Sequence, residues 1–353
     1  MDEIDPFLAY MNARVRGMKS HLLTREQYEQ LIEAGSETAI ADRLLSSPYQ
    51  HDLAESLTRY QGADAIEDAA SRNLVKTYER LLSVTRGLDA DIGEIFFQRW
   101  DLIAVKSLLR AKHHGLDAQS GDSALVPGPG LGVALLHEYA SLPSVEALVR
   151  ALAVWNSSLC KVLVDKLPEY AQSNDLSILE DALDRNYFLK NMRLLRGNEG
   201  ESAQILFIAL QMEVDRINLR TVMSLRGAGE MDEAARSRIL PGGRLAGPVI
   251  EQMVQAQTPE QVIELLGNTP YSEMRKGLYK FIQSHRFSQL ERIFEHAFIA
   301  QLSRLSRTRG IGIAILLLYT WLKFNEVVNL RVIARGGAKH LPKGLVREEI
   351  MYV

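Results

Sequence analysis

The sequence has little that could carry chemistry. One of its 353 residues is cysteine, Cys160. A single cysteine excludes an intramolecular disulfide framework and any cage of several thiolates around zinc or an iron–sulfur cluster. It fits a reducing compartment. Neither sign of charge dominates: 41 Lys and Arg against 44 Asp and Glu leave a formal net charge of −3. That balance gives no basic field for nucleic acid or an anionic membrane, so no nucleic-acid partner is expected. Prolines number only 11, which leaves room for long helices. Long apolar runs are missing as well. The strongest, Ile311 to Leu322, lies in a short uncharged stretch between Arg309 and Lys323. A membrane span needs roughly 20 residues, so a helix buried on all sides is expected. The acidic opening Met1 to Pro6 lacks the basic and apolar regions of a secretory signal.

Familiar catalytic motifs are also missing. No Gly-x-x-x-x-Gly-Lys-Ser/Thr loop occurs. Gly128, Gly130 and Gly132 fail the spacing of a dinucleotide fingerprint and read as a turn. His137-Glu138 begins like a zincin helix, but Ser141 takes the second histidine's place. His113 and His114 are adjacent, point about 100° apart and read as a helix end. Neither a Gly-x-Ser-x-Gly elbow nor an aspartate-rich magnesium motif is present, and Cys160 reads as a small core residue. The expectation is a chain without catalytic site, cofactor or metal.

What is there reads as helix. Tyr28, Leu31 and Ile32 share one helical face. Val145, Leu148, Val149, Leu152 and Ala153 follow i, i+3, i+4, i+7, i+8. Val262, Leu265 and Leu266 continue the habit. Ser36, Ser144 and Thr258-Pro259-Glu260 supply start signals. Alternating strand patterns are scarce, and even Val327 to Ile333 fits helix spacing. Short loops are expected at 86–89, 126–132, 196–200 and 240–243, and a last short helix over 343–351.

The most informative feature is an internal repeat, its period of about 112 residues far longer than the roughly 20–50 of solenoid repeats. A first stretch recurs at nearly even intervals around Glu67, Glu180 and Glu291. A second follows each of these at a nearly constant offset, as Asp101 to Lys106, Asp215 to Arg220 and Glu326 to Arg331. Three positions after the acid stands Asn218, Asn329 or Ala104, and two further on Arg220, Arg331 or Lys106. Asn12-Ala13-Arg14 repeats the last three residues near the start. A third stretch matches Ile40, Leu44 and Ser47-Pro48-Tyr49 with Val262, Leu266 and Thr269-Pro270-Tyr271; Leu148 and Leu152 are its weaker middle copy. Leu125-Val-Pro-Gly128 and Ile239-Leu-Pro-Gly242 open that element in two copies.

Such order predicts three copies of one helical unit, 1–115, 116–226 and 227–353, cut in mid-repeat at the ends. An acid and base five apart are not helix neighbours, whereas Asp68 and Arg72, or Asp181 and Arg185, are. Occurrence in triplicate points the charged signature toward fold-defining contacts. Basic stretches (Arg14, Arg16 and Lys19; Lys106, Arg110 and Lys112; Arg304, Arg307 and Arg309; Arg331, Arg335 and Lys339) read as solvated faces or as docking points for an acidic partner.

Several of these stretches resemble the C subunit of archaeal and bacterial A/V-type ATPases, the counterpart of the d subunit of the eukaryotic V-ATPase. They are Ala9 to Met18, Leu108-Leu-Arg-Ala-Lys112, Glu213 to Arg220, Leu240-Pro-Gly-Gly-Arg244, Thr269-Pro-Tyr271 and Asn329 to Arg335. Ala104-Val105-Lys106 and Pro129 depart from the pattern. The resemblance implies an all-α funnel of three similar units with pseudo-threefold symmetry. It implies a rotor spacer that hydrolyses nothing, with the central shaft subunits and the membrane ring of proteolipid subunits as partners. The place implied is peripheral, on the cytoplasmic side of a membrane carrying protons or sodium. A helical repeat scaffold for unrelated proteins is the alternative.

Overall fold

The structure, a computed structural model, describes residues 5–115, 125–228, 236–284 and 287–352. The expected break after residue 115 abuts 116–124, and the acidic opening includes 1–4; both stretches lie outside the described residues. Among the described residues every regular element is helical, so the all-α expectation holds.

The chain divides into two compact units, one of residues 1–187 and 319–352, the other of 188–318. The first opens with α1 (Pro6–Lys19), α2 (Arg25–Ala34), α3 (Glu37–Leu44), α4 (Gln50–Ser56), α5 (Gly62–Val84) and α6 (Ala90–His113). It continues through α7 (Val133–Ala140), α8 (Val145–Trp155), α9 (Ser157–Ser173) and most of α10 (Ser177–Arg196). The second holds α11 (Glu201–Ala228), α12 (Gly247–Gln255), α13 (Pro259–Leu265), α14 (Arg275–Ser284) and α15 (Phe287–Thr308). Helix α16 (Ala314–Ala338) carries the chain back to the first unit, and α17 (Lys343–Glu349) follows.

Local chemistry sets these boundaries. Thr24 and Gln27 form a reciprocal capping box at the start of α2, and Gly35 ends it at φ 73°. Ser36, Ser144 and Thr258 each cap the helix that follows, as their sequence positions suggest. Tyr28, Leu31 and Ile32 are buried on α2, and Val145, Leu148, Val149 and Leu152 on α8. Ala153 and Leu265 stop at half-burial.

The apolar run near the C-terminus is buried from Ile313 to Lys323. Its helix starts at Ala314, not at Ile311, after Gly310 turns the chain at φ 65°. Among the described residues no helix is long and apolar enough to cross a membrane. In the first unit Trp100 packs against Trp321, Phe324 and Tyr78 at centroid distances of 5.1, 5.4 and 6.0 Å. The core of the second gathers Leu219, Val222, Met253, Val262, Leu266 and Phe294, mainly from helices α11, α12, α13 and α15.

Candidate functional site: the repeated polar anchors

The three repeat acids stand on long helices and are almost wholly buried: Asp101 on α6, Asp215 on α11 and Glu326 on α16. A buried carboxylate must find donors or lose its charge. Each finds them in backbone amides. Asp101 Oδ1 accepts the N–H of Gly130 at 2.8 Å and of Leu131 at 3.3 Å. Asp215 accepts the N–H of Arg244 at 2.8 Å and of Leu245 at 3.1 Å. Acid and amides lie 29 and 30 residues apart in both cases. Glu326 instead accepts the N–H of Leu23, 303 residues away.

A tyrosine completes two of the anchors. Tyr271 donates its hydroxyl to Asp215 and Tyr49 donates to Glu326, each at 2.7 Å. Tyr271 follows the anchored Leu245 at the same offset in sequence as Tyr49 follows the anchored Leu23. Lys323 adds a charge to the third anchor, donating to Glu326 Oε1 at 2.7 Å and to the Tyr49 hydroxyl at 2.8 Å. Asp101 has no tyrosine donor of this kind among its described bonds. Burial pushes its carboxyl up to about 6, against the pull of its two amides. Burial also raises Asp215, opposed first by the Tyr271 bond.

The residue three positions after the acid works as a clamp. Asn218 accepts the N–H of Leu240 and donates to its carbonyl, both at 2.8 Å. Asn329 does the same to Met351, at 3.1 and 2.8 Å. Both spans are 22 residues. In the remaining copy Ala104 cannot clamp. Ser107, one turn on, accepts the N–H of Val126 at 3.2 Å and donates to the Ala104 carbonyl. Val126 follows Ala104 at the same offset as Leu240 follows Asn218, so the equivalent backbone site is held by different means.

Glycines let the loops approach. A Cβ on Gly243 would overlap Asp215 Oδ1, and one on Gly128 would overlap Asp101 Oδ1. Pro129 stands at the repeat position of Gly243, and Gly128 supplies the close approach one residue earlier.

The repeat bases join helices distant in the chain. Lys106 donates to Asp184 at 2.6 Å, and Arg110 makes two bonds to Glu180 at 2.5 and 2.9 Å. Arg220 reaches Glu291 at 3.1 Å. The last copy reaches the first: Arg335 pairs with Glu67 at 2.6 Å, while Arg331 donates to Ser71 and to the Leu125 carbonyl. Burial lowers the Arg331 guanidinium to about 10 and raises Glu67, which the Arg335 contact opposes. Arg110 and Arg335, which pair with two repeat glutamates, stood out in the sequence as members of basic stretches and of the stretches that carry the resemblance; the signal for their pairing is their place four residues after Lys106 and Arg331.

Asn12 donates to the Leu8 carbonyl and Arg14 to the Tyr10 hydroxyl, all on α1. The Asp68–Arg72 pair forms at 2.7 Å. His113 lies partly buried, its Nδ1 2.9 Å from the Tyr170 hydroxyl, while His114 is exposed. Cys160 is buried and its thiol is pushed up to about 12. Among the described residues no group of three His, Cys, Asp or Glu is placed to hold a metal.

The family described as ATP synthase (C/AC39) subunit matches residues 11–349. The chain belongs to that family. It is 30% identical to the A-type ATP synthase C subunit of Methanococcoides burtonii, over 97% of this chain and 94% of that one. The corresponding protein of Methanocaldococcus jannaschii is 25% identical, over 96% and 85%. That of Haloquadratum walsbyi is 26% identical, over 97% of both. As a member of the C/AC39 family, the chain is a component of a rotary ATPase.

Proposed function

We propose that this chain is the non-catalytic rotor spacer of its ATPase, coupling the central shaft to the membrane ring of proteolipid subunits. It sits peripherally on the cytoplasmic face and passes rotation between the ATP-handling head and a ring that moves protons or sodium. Its body is three similar helical units, 1–115, 116–226 and 227–353, in a pseudo-threefold funnel. The observation that carries this reading is that three long helices of a C/AC39-family chain each bury an acid that holds a distant backbone N–H and each carry a base that pairs with a distant glutamate. A coupler works by stiffness: twist absorbed inside it is rotation lost. Buried acids that tie a loop to a long helix, and bases that tie each repeat to the next, oppose such twist. No cofactor is needed for that work.

Reconstitution tests the reading. The purified chain should bind both the shaft subunits and the ring, and its omission should leave ATP hydrolysis by the head uncoupled from ion transport. Failure to bind either partner overturns the proposal. Units that can be deleted one at a time without loss of folding would mark a helical scaffold instead.

A further inference from the structure

The third anchor is built unlike the other two. At Asp101 and Asp215 the clamp and the acid hold one continuous loop: Val126 to Leu131, or Leu240 to Leu245. Lifting the clamped residue there drags the same loop off the acid. At Glu326 the two jobs fall to segments far apart in sequence. The clamp holds Met351, and the acid holds Leu23 and Tyr49. The Met351 segment can therefore leave without pulling Leu23 or Tyr49 off the acid.

The two segments are also held by different forces. Leu23 and Tyr49 are bound to a buried carboxylate that Lys323 neutralises. The segment of α17 and Met351 is bound by Asn325 and Asn329 at its end, by the Tyr352 ring edge-on to Tyr28 at 6.3 Å and beneath the Arg25 guanidinium at 5.0 Å, and otherwise mainly by charges at the surface. Lys343 pairs with Glu33 at 2.6 Å, and Arg347 with Glu29 at 2.9 Å and with Glu33. The Tyr352 hydroxyl donates to Glu29. Side chains in these ion pairs are 33–53% exposed. Exposed pairs are screened by salt, whereas buried pairs are screened much less. Apolar help is modest: Val346, Ile350 and Met351 are the buried residues of the segment.

We propose that residues 343–352 form an electrostatically held strap over α2 and α16, which raised ionic strength releases while the Glu326 anchor beneath it stays closed. Release bares Asn325 and Asn329 without freeing Leu23 or Tyr49. The seat so exposed is shaped for an extended backbone, since Asn329 presents one donor and one acceptor to it. The device is a property of this chain's own contacts and does not depend on the coupling role.

Hydrogen exchange with mass spectrometry on the full chain tests it. Between about 0.05 M and 1 M salt the Debye length falls from over 10 Å to about 3 Å. Amides of 343–352 should then exchange at least about tenfold faster, while those of 23–34 and 240–245 keep their rates. The double variant Lys343→Ser, Arg347→Ser should show the fast strap already at low salt, with an unchanged far-ultraviolet spectrum. Asn329→Ala should free the strap alone, whereas Asn218→Ala should loosen the whole 240–245 loop. A strap whose exchange ignores both salt and the double substitution overturns the proposal. So does a strap that exchanges in step with 23–34, because the joint would then open as one piece.

Discussion

Glu326 accepts the backbone N–H of Leu23 although 303 residues separate them. The same carboxylate takes the Tyr49 hydroxyl at 2.7 Å and the Lys323 ammonium at 2.7 Å. One buried acid thus joins the first helices of the chain to one of its last. Because Glu326 is 1% exposed and Lys323 5%, removing either leaves the other charge buried and unpaired.

Glu326→Ala should therefore lower stability by about 3–5 kcal/mol, the usual cost of breaking a buried pair. Urea denaturation measures it. Adding Lys323→Met should recover part of the loss, since the stranded ammonium is then gone, and a double-mutant cycle should show strong coupling. Additive losses would mean that the two side chains do not depend on each other.

The tyrosine hydroxyls are separable from their rings. Tyr271→Phe keeps the buried ring but removes the donor to Asp215, and about 1.5–3 kcal/mol should go with a hydrogen bond to a charged group. Tyr49→Phe strands part of a Lys323–Glu326 network and should cost at least as much. Thermal unfolding of the two variants checks the order.

Asp101 sets a pH dependence of unusual sign. Its carboxyl is pushed up to about 6 in the fold against an ordinary 3.8, because burial disfavours the charge. The folded state therefore binds its proton more tightly than the unfolded chain does. Its contribution to stability rises as pH falls from above 6 toward 4, by about 1.4 kcal/mol per unit of difference, and levels off below 4. Asn at this position keeps an acceptor for Gly130 and Leu131 but cannot titrate. Asp101→Asn should flatten the stability profile between pH 4 and 7; an unchanged slope would assign it to other buried acids such as Asp215.

Gly243→Ala should destabilise the second unit by about 1–3 kcal/mol, since the new Cβ overlaps Asp215 Oδ1 and forces the loop off its anchor. Gly247→Ala, four residues on, meets nothing within 4 Å and should be neutral or slightly stabilising at the start of α12. The pair, compared by denaturation, separates close approach from general loop rigidity.

Much of this was legible locally. The helices followed from apolar periodicity and from caps such as Ser36, Ser144 and Thr258. The repeat offsets picked out Asp101, Asp215 and Glu326 and aligned Tyr49 with Tyr271. Less was legible where the framework changes its chemistry. Ser107 replaces the missing asparagine from one turn away, and Gly128 replaces a glycine lost to Pro129. The last helix stops at Glu349, short of the expected 351, because Met351 must extend to meet the Asn329 amide.

The sequence by itself determined the helices and several of their caps, because each depends on neighbours within a few turns, and its offsets showed which residues recur. It could not determine partners. A carboxylate on α16 looks the same in sequence whether its donor lies in the next loop or at the far end of the chain, since hydrogen bonds depend on distance in space and burial, not on order along the chain. Only the tertiary structure decided that Leu23 and Met351 together complete the third anchor, and that Arg335 returns to Glu67. The burial that makes Asp101 hard to ionise was likewise set by packing, which brings Gly128 and Gly130 down onto it.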